Sequence, residues 1–352
     1  MNKFFLPIFK LLFIVFDFLK YLKYLFFKKN KIVLKKKIHS DSVVIIAIFQ
    51  SFTLRPDTVN FIDELRKRGV ALIVINTSTV NSGWIDWLNK VTCVYIERSN
   101  YGQCFGSYKT GIDFLQSENE YEKLKNIYFF NDSVFVSPDR LASFLDKYLF
   151  EDVCGVTDNY EFKHHVSSFA LKFNSKIIKS KDFRDFWKSY RLTSLRQKLI
   201  HDGEIELSQV IHKVDKFARV MYPIKSLTNS ISKNDLIYFS CYVDDSPAFY
   251  GPHTNRYGFS KKNIINMDDI KNKSEQGSSI HFNVFYLLIL GCPFVKLDYM
   301  LRNIFDNIQY VKFSKLIDSK FCSELYFLLE QKAQKKYSYG KVKSILLKHG
   351  YL

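Results

Sequence analysis

The sequence predicts an α/β fold in which a mainly parallel sheet is sandwiched by helices, and three observations predict it. Beyond Ser42, short apolar runs alternate with segments of helical spacing, the order expected of strands joined by crossover helices. The runs themselves, such as SVVIIAIFQ, have the β-branched character of buried strands. The composition, 47% hydrophobic and 17% aromatic, is too apolar for a disordered chain and ample for a large core.

The elements follow in order. A strand from Ser42 leads into a helix over Pro56 to Gly69, and Gly69 is its stop signal. A second strand spans Val70 to Ser78. The amphipathic GWIDWLNK separates it from a third, Val91 to Glu97. A glycine-containing loop then feeds a helix through Tyr108 to Leu115, and the strand NIYFFND runs from Asn126 to Asp132. Beyond Asp152 the expectations are a strand in VSSFALKF, a helix through FRDFWKSY and a helix beginning near Glu204. Residues 226–280 lack periodicity apart from LIYFSCYV, and the end reads as helices in FNVFYLLIL, FCSELYFLLEQKAQKK and VKSILLKHG. The partition expected is an amphipathic basic segment over 1–38, a catalytic-size domain over 42–225, an acceptor-side extension over 226–303 and C-terminal helices over 304–352.

Charge and cysteine usage narrow the setting. Lys and Arg exceed Asp and Glu by 17, yet no zinc-finger spacing, basic zipper or RNA-recognition motif appears, so no nucleic-acid partner is expected. Six scattered cysteines form no C-x-x-C pair, which fits a reducing cytoplasm rather than a disulfide scaffold. The segment Phe4 to Phe27 is apolar but interrupted by Lys10, Asp17, Lys20 and Lys23, so it falls short of the roughly 18 uninterrupted residues of a membrane span. At helical spacing Phe4, Leu11, Val15, Phe18, Leu22 and Phe26 gather on one side, with Lys3, Lys10, Asp17, Lys20 and Lys23 opposite. Lys28, Lys29, Lys31, Lys35, Lys36 and Lys37 follow, each able to add about 1 kcal/mol against anionic lipid. The expectation is a peripheral protein at an anionic membrane surface. A helix packed on the protein's own core is the competing reading, and a secretory signal a weaker one.

Several constellations can carry chemistry. In YFFNDSVFVSP an apolar strand ends in Asn131, Asp132 and Ser133, where polar side chains face the ligand crevice of a parallel sheet. Asp132 is the candidate carboxylate for a divalent cation, Mg or Mn, bridging the phosphates of a nucleotide sugar; Asn-Asp-Ser is equally ordinary turn chemistry. RSNYGQCFGSYKTG places Gly102 and Gly106 before a helix start carrying Tyr108 and Lys109, a junction that can approach phosphate, although it is neither a Walker loop nor a dinucleotide fingerprint. HDGEIELSQ puts Glu204 and Glu206 in the first turn of an expected helix. The helix dipole favours carboxylates there without any function, and one of them can also serve as base toward an acceptor hydroxyl. His164 and His165 fall on opposite sides of a strand, so at most one faces the site.

These pieces, in this order, resemble the rhamnan-synthesis protein F family of bacterial polysaccharide glycosyltransferases from about Val43 to Arg302. The family's Asn-x-Gly-x-Asp-Phe-Gly-Ser-Tyr-Lys segment is matched by Asn100, Gly102, Phe105, Gly106, Ser107, Tyr108 and Lys109, and its Asn-Asp-Ser strand end by Asn131, Asp132 and Ser133. Cys154 through Asp158 look like its Trp-Gly-Leu-Thr-Asp segment, and His165 through Phe169 like its His-Leu-Gln-Ser-Tyr segment. Phe183, Phe186 and Trp187, then Glu204, Leu207 and Ser208, and finally Gly291, Pro293, Phe294, Lys296, Leu301 and Arg302 complete the order. Departures stand at Cys104, where the family usually has Asp, and at Cys154, Ser167 and Gly203.

The resemblance implies a GT-A-like, Rossmann-like fold and a sugar transfer with inversion at the cytoplasmic face of the bacterial membrane. The implied donor is a nucleotide-diphosphate sugar, dTDP-rhamnose above others, and the implied acceptor a lipid-linked glycan of O-antigen, capsule or rhamnan. Glu204 is then the expected base and Asp132 the metal or diphosphate carboxylate. Donor binding is expected from Asn76, Asn100, Gly102, Gly106, Tyr108, Lys109, Asn131 and Ser133, and acceptor or sugar binding from Asp158, His165, Ser168, His281, Lys296 and Arg302. A non-catalytic, membrane-associated glycan-binding or assembly module is the alternative.

Overall fold

Strand β2 (Ser42–Ile48) sets the pattern for the whole domain. Its Val44, Ile46 and Ile48 enter one apolar cluster and Val43, Ile45 and Ala47 another, because successive side chains of a strand point to opposite faces. Both clusters are sealed, so an unbroken β-branched run is what this position demands. The computed structural model describes residues 5–27, 30–160, 162–230 and 284–297, together with Asp268 and Ile280.

The central strands are parallel. β3 (Ala71–Asn76) and β5 (Asn126–Asn131) flank β2, and β4 (Val94–Glu97) adds beyond β3. The full order is β1 (Lys31–Lys35), β4, β3, β2, β5, β9 (Ala170–Asn174), β7 (Gly155–Asn159) and β10 (Val220–Tyr222), with β8 (His165–Val166) on β7. β1 closes one side antiparallel to β4. On the other side VSSFALKF divides: β8 pairs with β7, whereas β9 runs antiparallel to β5. β10 is parallel to β7. Outside this sheet, β6 (Val134–Val136) and β11 (Phe294–Lys296) form an antiparallel pair.

Helices cover both faces. α2 (Pro56–Lys67), α3 (Ser82–Val91) and α5 (Pro138–Tyr148) close one cluster through Phe61, Ile62, Leu65, Leu88, Leu141, Phe144 and Leu145. α2 has Pro56 in its first turn and Gly69 beyond its end at φ 72°, a left-handed position that glycine adopts without Cβ strain. α4 (Gln103–Ser117), α6 (Ser175–Ile178) and α7 (Lys181–Ser189) close the other through residues such as Tyr108, Ile112, Ile177 and Trp187.

Three expectations need correction. α4 begins at Gln103, not Tyr108, because left-handed Gly102 (φ 84°) turns the chain directly into it; Gly106 is therefore helical, not part of a loop. Glu204 does not open a helix. α8 (Arg196–Lys198), a π-helical turn (Leu199–Ile205) and α9 (Glu206–Val214) form one helical run, and Glu204 sits within the π turn while Glu206 takes the first turn of α9.

The third concerns α1 (Phe5–Phe27). Asp17, grouped with the lysines by helical spacing, is only 9% exposed. It accepts hydrogen bonds from Thr193 Oγ1 (2.7 Å), Ser194 N (2.9 Å) and Tyr101 Oη (3.3 Å). The helix thus docks by its polar seam and turns the apolar side outward. Among the described residues no helix is long and apolar enough to cross a membrane. Of the expected C-terminal helices, Val284–Ile289 is helical and packs Leu287 into the core; LIYFSCYV and residues 304–352 lie outside the described residues.

Candidate functional site

The carboxyl ends of β2, β3 and β5 open on one cleft of about 450 Å³, where a parallel sheet presents its loops to ligands. Phe49 and Thr77, each one residue past its strand, form part of the wall with Asn131, Asp132 and Ser133. The Asn-Asp-Ser turn is held from several directions. Asn131 Oδ1 accepts from Ser133 N (3.1 Å), and its Nδ2 donates to Tyr108 Oη (3.0 Å). Asp132 Oδ2 accepts from Phe49 N (2.8 Å) and Gln50 Nε2 (3.1 Å), which ties the turn to the β2–α2 loop.

A buried ion pair braces the same turn from behind. Arg55 grips Asp57 with two hydrogen bonds, Nε to Oδ1 at 2.9 Å and Nη2 to Oδ2 at 3.0 Å. The guanidinium also donates to the carbonyls of Asp132 (3.2 Å) and Val134 (3.0 Å), and Asp57 Oδ2 receives Val136 N at 3.1 Å. Burial pushes the Asp57 carboxyl up, against the pull of Arg55.

Lys296 arrives from far along the chain. Its strand β11 pairs Lys296 with Val134, and this register brings Nζ to 2.8 Å from Ser133 Oγ and 5.5 Å from the centre of the Phe169 ring. A primary ammonium therefore stands beside the Asp132 turn, in the cleft wall.

Glu204 faces them from the π turn. Ser168 Oγ donates to Glu204 Oε1, and His165 Nε2 lies 3.4 Å from Oε2. The backbone is pinned as well: Ser208 Oγ donates to Glu204 O (2.7 Å) and receives Val166 N (2.9 Å), which binds the helical run to β8. Burial of Glu204 raises its carboxyl, but hydrogen bonding and charge from His165, the Ser168 hydroxyl and the charge of Lys296 outweigh it and hold the group below its ordinary 4.5. A π turn that presents a carboxylate in this way is a common device at functional sites.

Of the residues singled out by sequence, Asn100, Asn131, Asp132, Ser133, Ser168, Glu204 and Lys296 line this cleft. Others lie elsewhere. Asn76 is fully buried and bonds both ways with the backbone of Gln50. Gly106 makes room for Arg98: a Cβ there would lie 2.6 Å from the guanidinium. Tyr108 is buried, donating to Ser168 O at 2.9 Å. Lys109 donates to Trp187 O and pairs with Asp113 at 3.5 Å, outside the residues that line the cleft. Gly102 serves as the left-handed helix entry. Asp158 receives Ile224 N at 3.0 Å, and His165, with no exposed surface, sits behind Glu204 and does not line the cleft. His281 and Arg302 lie outside the described residues. The sequence reading passed over Phe49, Thr77, Gln103, Ser194 and Arg196, which also line the cleft; the strand-end rule that found Asp132 reaches the first two.

A cation and a reactive thiol can be judged on the same residues. Among the described residues no three His, Cys, Asp or Glu side chains gather to hold a metal. Asp132 offers one carboxylate, so a divalent ion would take its other ligands from donor phosphates and water, as Mg²⁺ commonly does. Cys104 stands in the cleft wall with its thiol pushed up to about 12, chiefly by burial and secondarily by Glu204, so it is neutral and contributes no charge to the site.

The family model for rhamnan synthesis protein F matches residues 72–244, a span that includes Asp132, His165, Ser168 and Glu204 and ends before Lys296. The resemblance carried by the motifs holds over that span. An uncharacterized protein, y4gN, of Sinorhizobium fredii (strain NBRC 101917 / NGR234) is 24% identical over 186 residues, 51% of this chain and 48% of that protein. Virulence protein VirA of Vibrio anguillarum (strain ATCC 68554 / 775) is 26% identical over 166 residues, 46% of this chain and 54% of its own. The chain spans about half the length of these curated relatives.

Proposed function

We propose, with the match to the rhamnan synthesis protein F family as premise, that this chain is a glycosyltransferase of bacterial cell-surface polysaccharide biosynthesis. It moves a sugar, L-rhamnose from dTDP-rhamnose before others, onto a glycan acceptor carried on lipid. The observation that carries the reading is one cleft lined both by an ionised, hydrogen-bonded Glu204 and by the Asp132–Ser133–Lys296 cluster.

The step is a single displacement. Glu204 takes the proton of an acceptor hydroxyl, whose oxygen forms the new bond at the anomeric carbon. The bond to the diphosphate breaks on the opposite side, so configuration inverts. The departing oxygen keeps the electron pair, and Lys296 offsets the charge that develops there, a contribution worth most in a site that excludes water. A divalent cation, if one is bound, would be held by Asp132 and would add positive charge to the same stabilisation. Asp132 also orients the β2–α2 loop, and Ser168 keeps Glu204 Oε1 in place.

The test combines ligand stabilisation with turnover. A nucleotide sugar that binds the folded protein raises its melting temperature by mass action, and a thymidine-diphosphate deoxysugar is expected to do so selectively. Glu204→Gln should keep that shift and lose roughly 100-fold or more of turnover. A variant that transfers sugar at the wild-type rate would remove Glu204 as the base. The absence of any shift across donors linked to thymidine, uridine and guanosine diphosphates would move the reading to a non-catalytic glycan-binding module.

A further inference from the structure

α1 is docked the wrong way round for a helix that packs on its own core. Its buried side carries Asp17 with the rings of Tyr21 and Tyr24, which lie 6.1 and 5.5 Å from the ring of Tyr101. Its outward side exposes Leu11, Leu12, Val15, Phe16, Phe18, Leu19, Leu25 and Phe26, the last 80% exposed. A contiguous apolar face of this kind marks a surface that something else covers.

We propose that the surface of an anionic bilayer covers it. α1 lies in the plane of the interface, its outward side chains sunk among the acyl chains, and the Asp17 latch fixes the cleft wall to that surface. Charge selects this occupant. Lys20 and Lys23 are exposed on the helix itself, and Lys31 and Lys37 are exposed on the segment directly after it. An apolar helix flanked by ammonium groups suits acyl chains beneath anionic headgroups, whereas a purely apolar partner face would leave the lysines without counter-charges.

The latch gives the helix its relation to the site. Asp17 bonds Thr193, Ser194 and Tyr101, and the cleft is lined by Ser194 and Arg196 on one side of these contacts and by Gln103, Cys104 and Phe105 on the other. A helix held this way cannot be seated in a membrane without bringing that wall with it. The inference does not depend on the transferase reading, because neither the exposed face nor the latch involves the sugar chemistry.

The experiment uses the full chain in flotation assays with vesicles of phosphatidylcholine alone or mixed with phosphatidylglycerol. The protein is expected to float with the mixed vesicles, less so as salt rises, and to remain behind with phosphatidylcholine alone. Replacing Leu11, Val15, Phe18 and Phe26 together by Ser should abolish flotation and leave the melting temperature in vesicle-free buffer unchanged, since these side chains touch water there. Flotation by that variant equal to wild type overturns the proposal. So does a vesicle-free wild-type dimer that the four substitutions convert to monomer, which would make a second copy the occupant. Asp17→Ala tests the latch separately: it should still float, while the Ser194 amide, deprived of its acceptor, exchanges hydrogen faster. Unchanged Ser194 exchange would sink the latch and leave the membrane face standing.

Discussion

His165 and Glu204 form a pair with a defined proton inventory. His165 Nδ1 lies 2.7 Å from the Lys163 carbonyl oxygen, which can only accept, so Nδ1 carries a hydrogen. Its Nε2 faces a carboxylate oxygen at 3.4 Å, and that contact is attractive only when a proton lies between the two groups. The pair therefore has one proton to place between imidazole and carboxylate.

Removing the histidine should move the acid limb of the pH–rate profile. Glu204 is held below its ordinary 4.5, with burial opposed by His165 first, then Ser168 and Lys296. A carboxyl depressed on folding contributes stability above its unfolded value, and loses it as pH falls through the lowered folded value. With His165→Gln the burial penalty is less opposed, so both the loss of stability and the acid limb of kcat should shift to higher pH. Nucleotide affinity at neutral pH should hold. An acid limb that stays in place would leave His165 a packing residue.

Lys296 makes a different kind of prediction, because it concerns phosphate and not the base. A hydrogen bond to a charged group is worth about 1.5–3 kcal/mol, so Lys296→Met should weaken a nucleoside diphosphate by about 10- to 100-fold. The corresponding nucleoside, which has no phosphate, should bind as before. Calorimetric titration of the two ligands separates the outcomes, and equal weakening of both would indicate a collapsed cleft rather than a lost charge.

The strands were legible because burial on both faces is written locally. VVIIAI leaves no polar position, and its side chains do alternate between two sealed clusters. The Asn-Asp-Ser turn was legible for a related reason, since three polar residues interrupting an apolar run can only be a strand end. Asp17 was not. Helical spacing divides a helix into two faces but cannot say which one meets the protein, and three donors from residues 101, 193 and 194 decided it. The π turn under Glu204 was hidden because a slipped hydrogen bond barely changes the apolar period. Lys109 illustrates a third limit: its place beside glycines suggested phosphate, yet the Trp187 carbonyl and Asp113 lie within its reach.

The Arg55–Asp57 pair joins residues only two apart but braces the distant Asp132 turn, and it should prove to be the costliest bond of the site to break. Asp57 has no exposed side-chain surface and Arg55 only 17%. Asp57→Ala strands a buried guanidinium, and breaking a buried pair from one side costs about 3–5 kcal/mol. Urea denaturation should show a midpoint lowered accordingly at unchanged slope. Because Arg55 also carries the carbonyls of Asp132 and Val134, nucleotide binding should weaken in the fraction that remains folded. A midpoint close to wild type would mean that the guanidinium finds water, and the brace would be incidental.

Gly106→Ala sets two local effects against each other. Alanine is the better helix former by about 1 kcal/mol, and Gly106 lies inside α4 at an ordinary helical position. The added Cβ, however, would lie 2.6 and 2.8 Å from the two terminal nitrogens of Arg98 and 2.8 Å from the Tyr101 carbonyl oxygen. Arg98 cannot withdraw: it is 4% exposed, and its Nη1 lies 3.4 Å from the Gln103 carbonyl it donates to. Overpacking of this kind costs about 1–3 kcal/mol, so the net change should be destabilising and visible as a lower melting temperature. Arg98→Lys removes the forked head, and residues in contact are not additive. The double variant should therefore melt higher than the two single losses sum to; strict additivity would place the strain somewhere other than between Gly106 and Arg98.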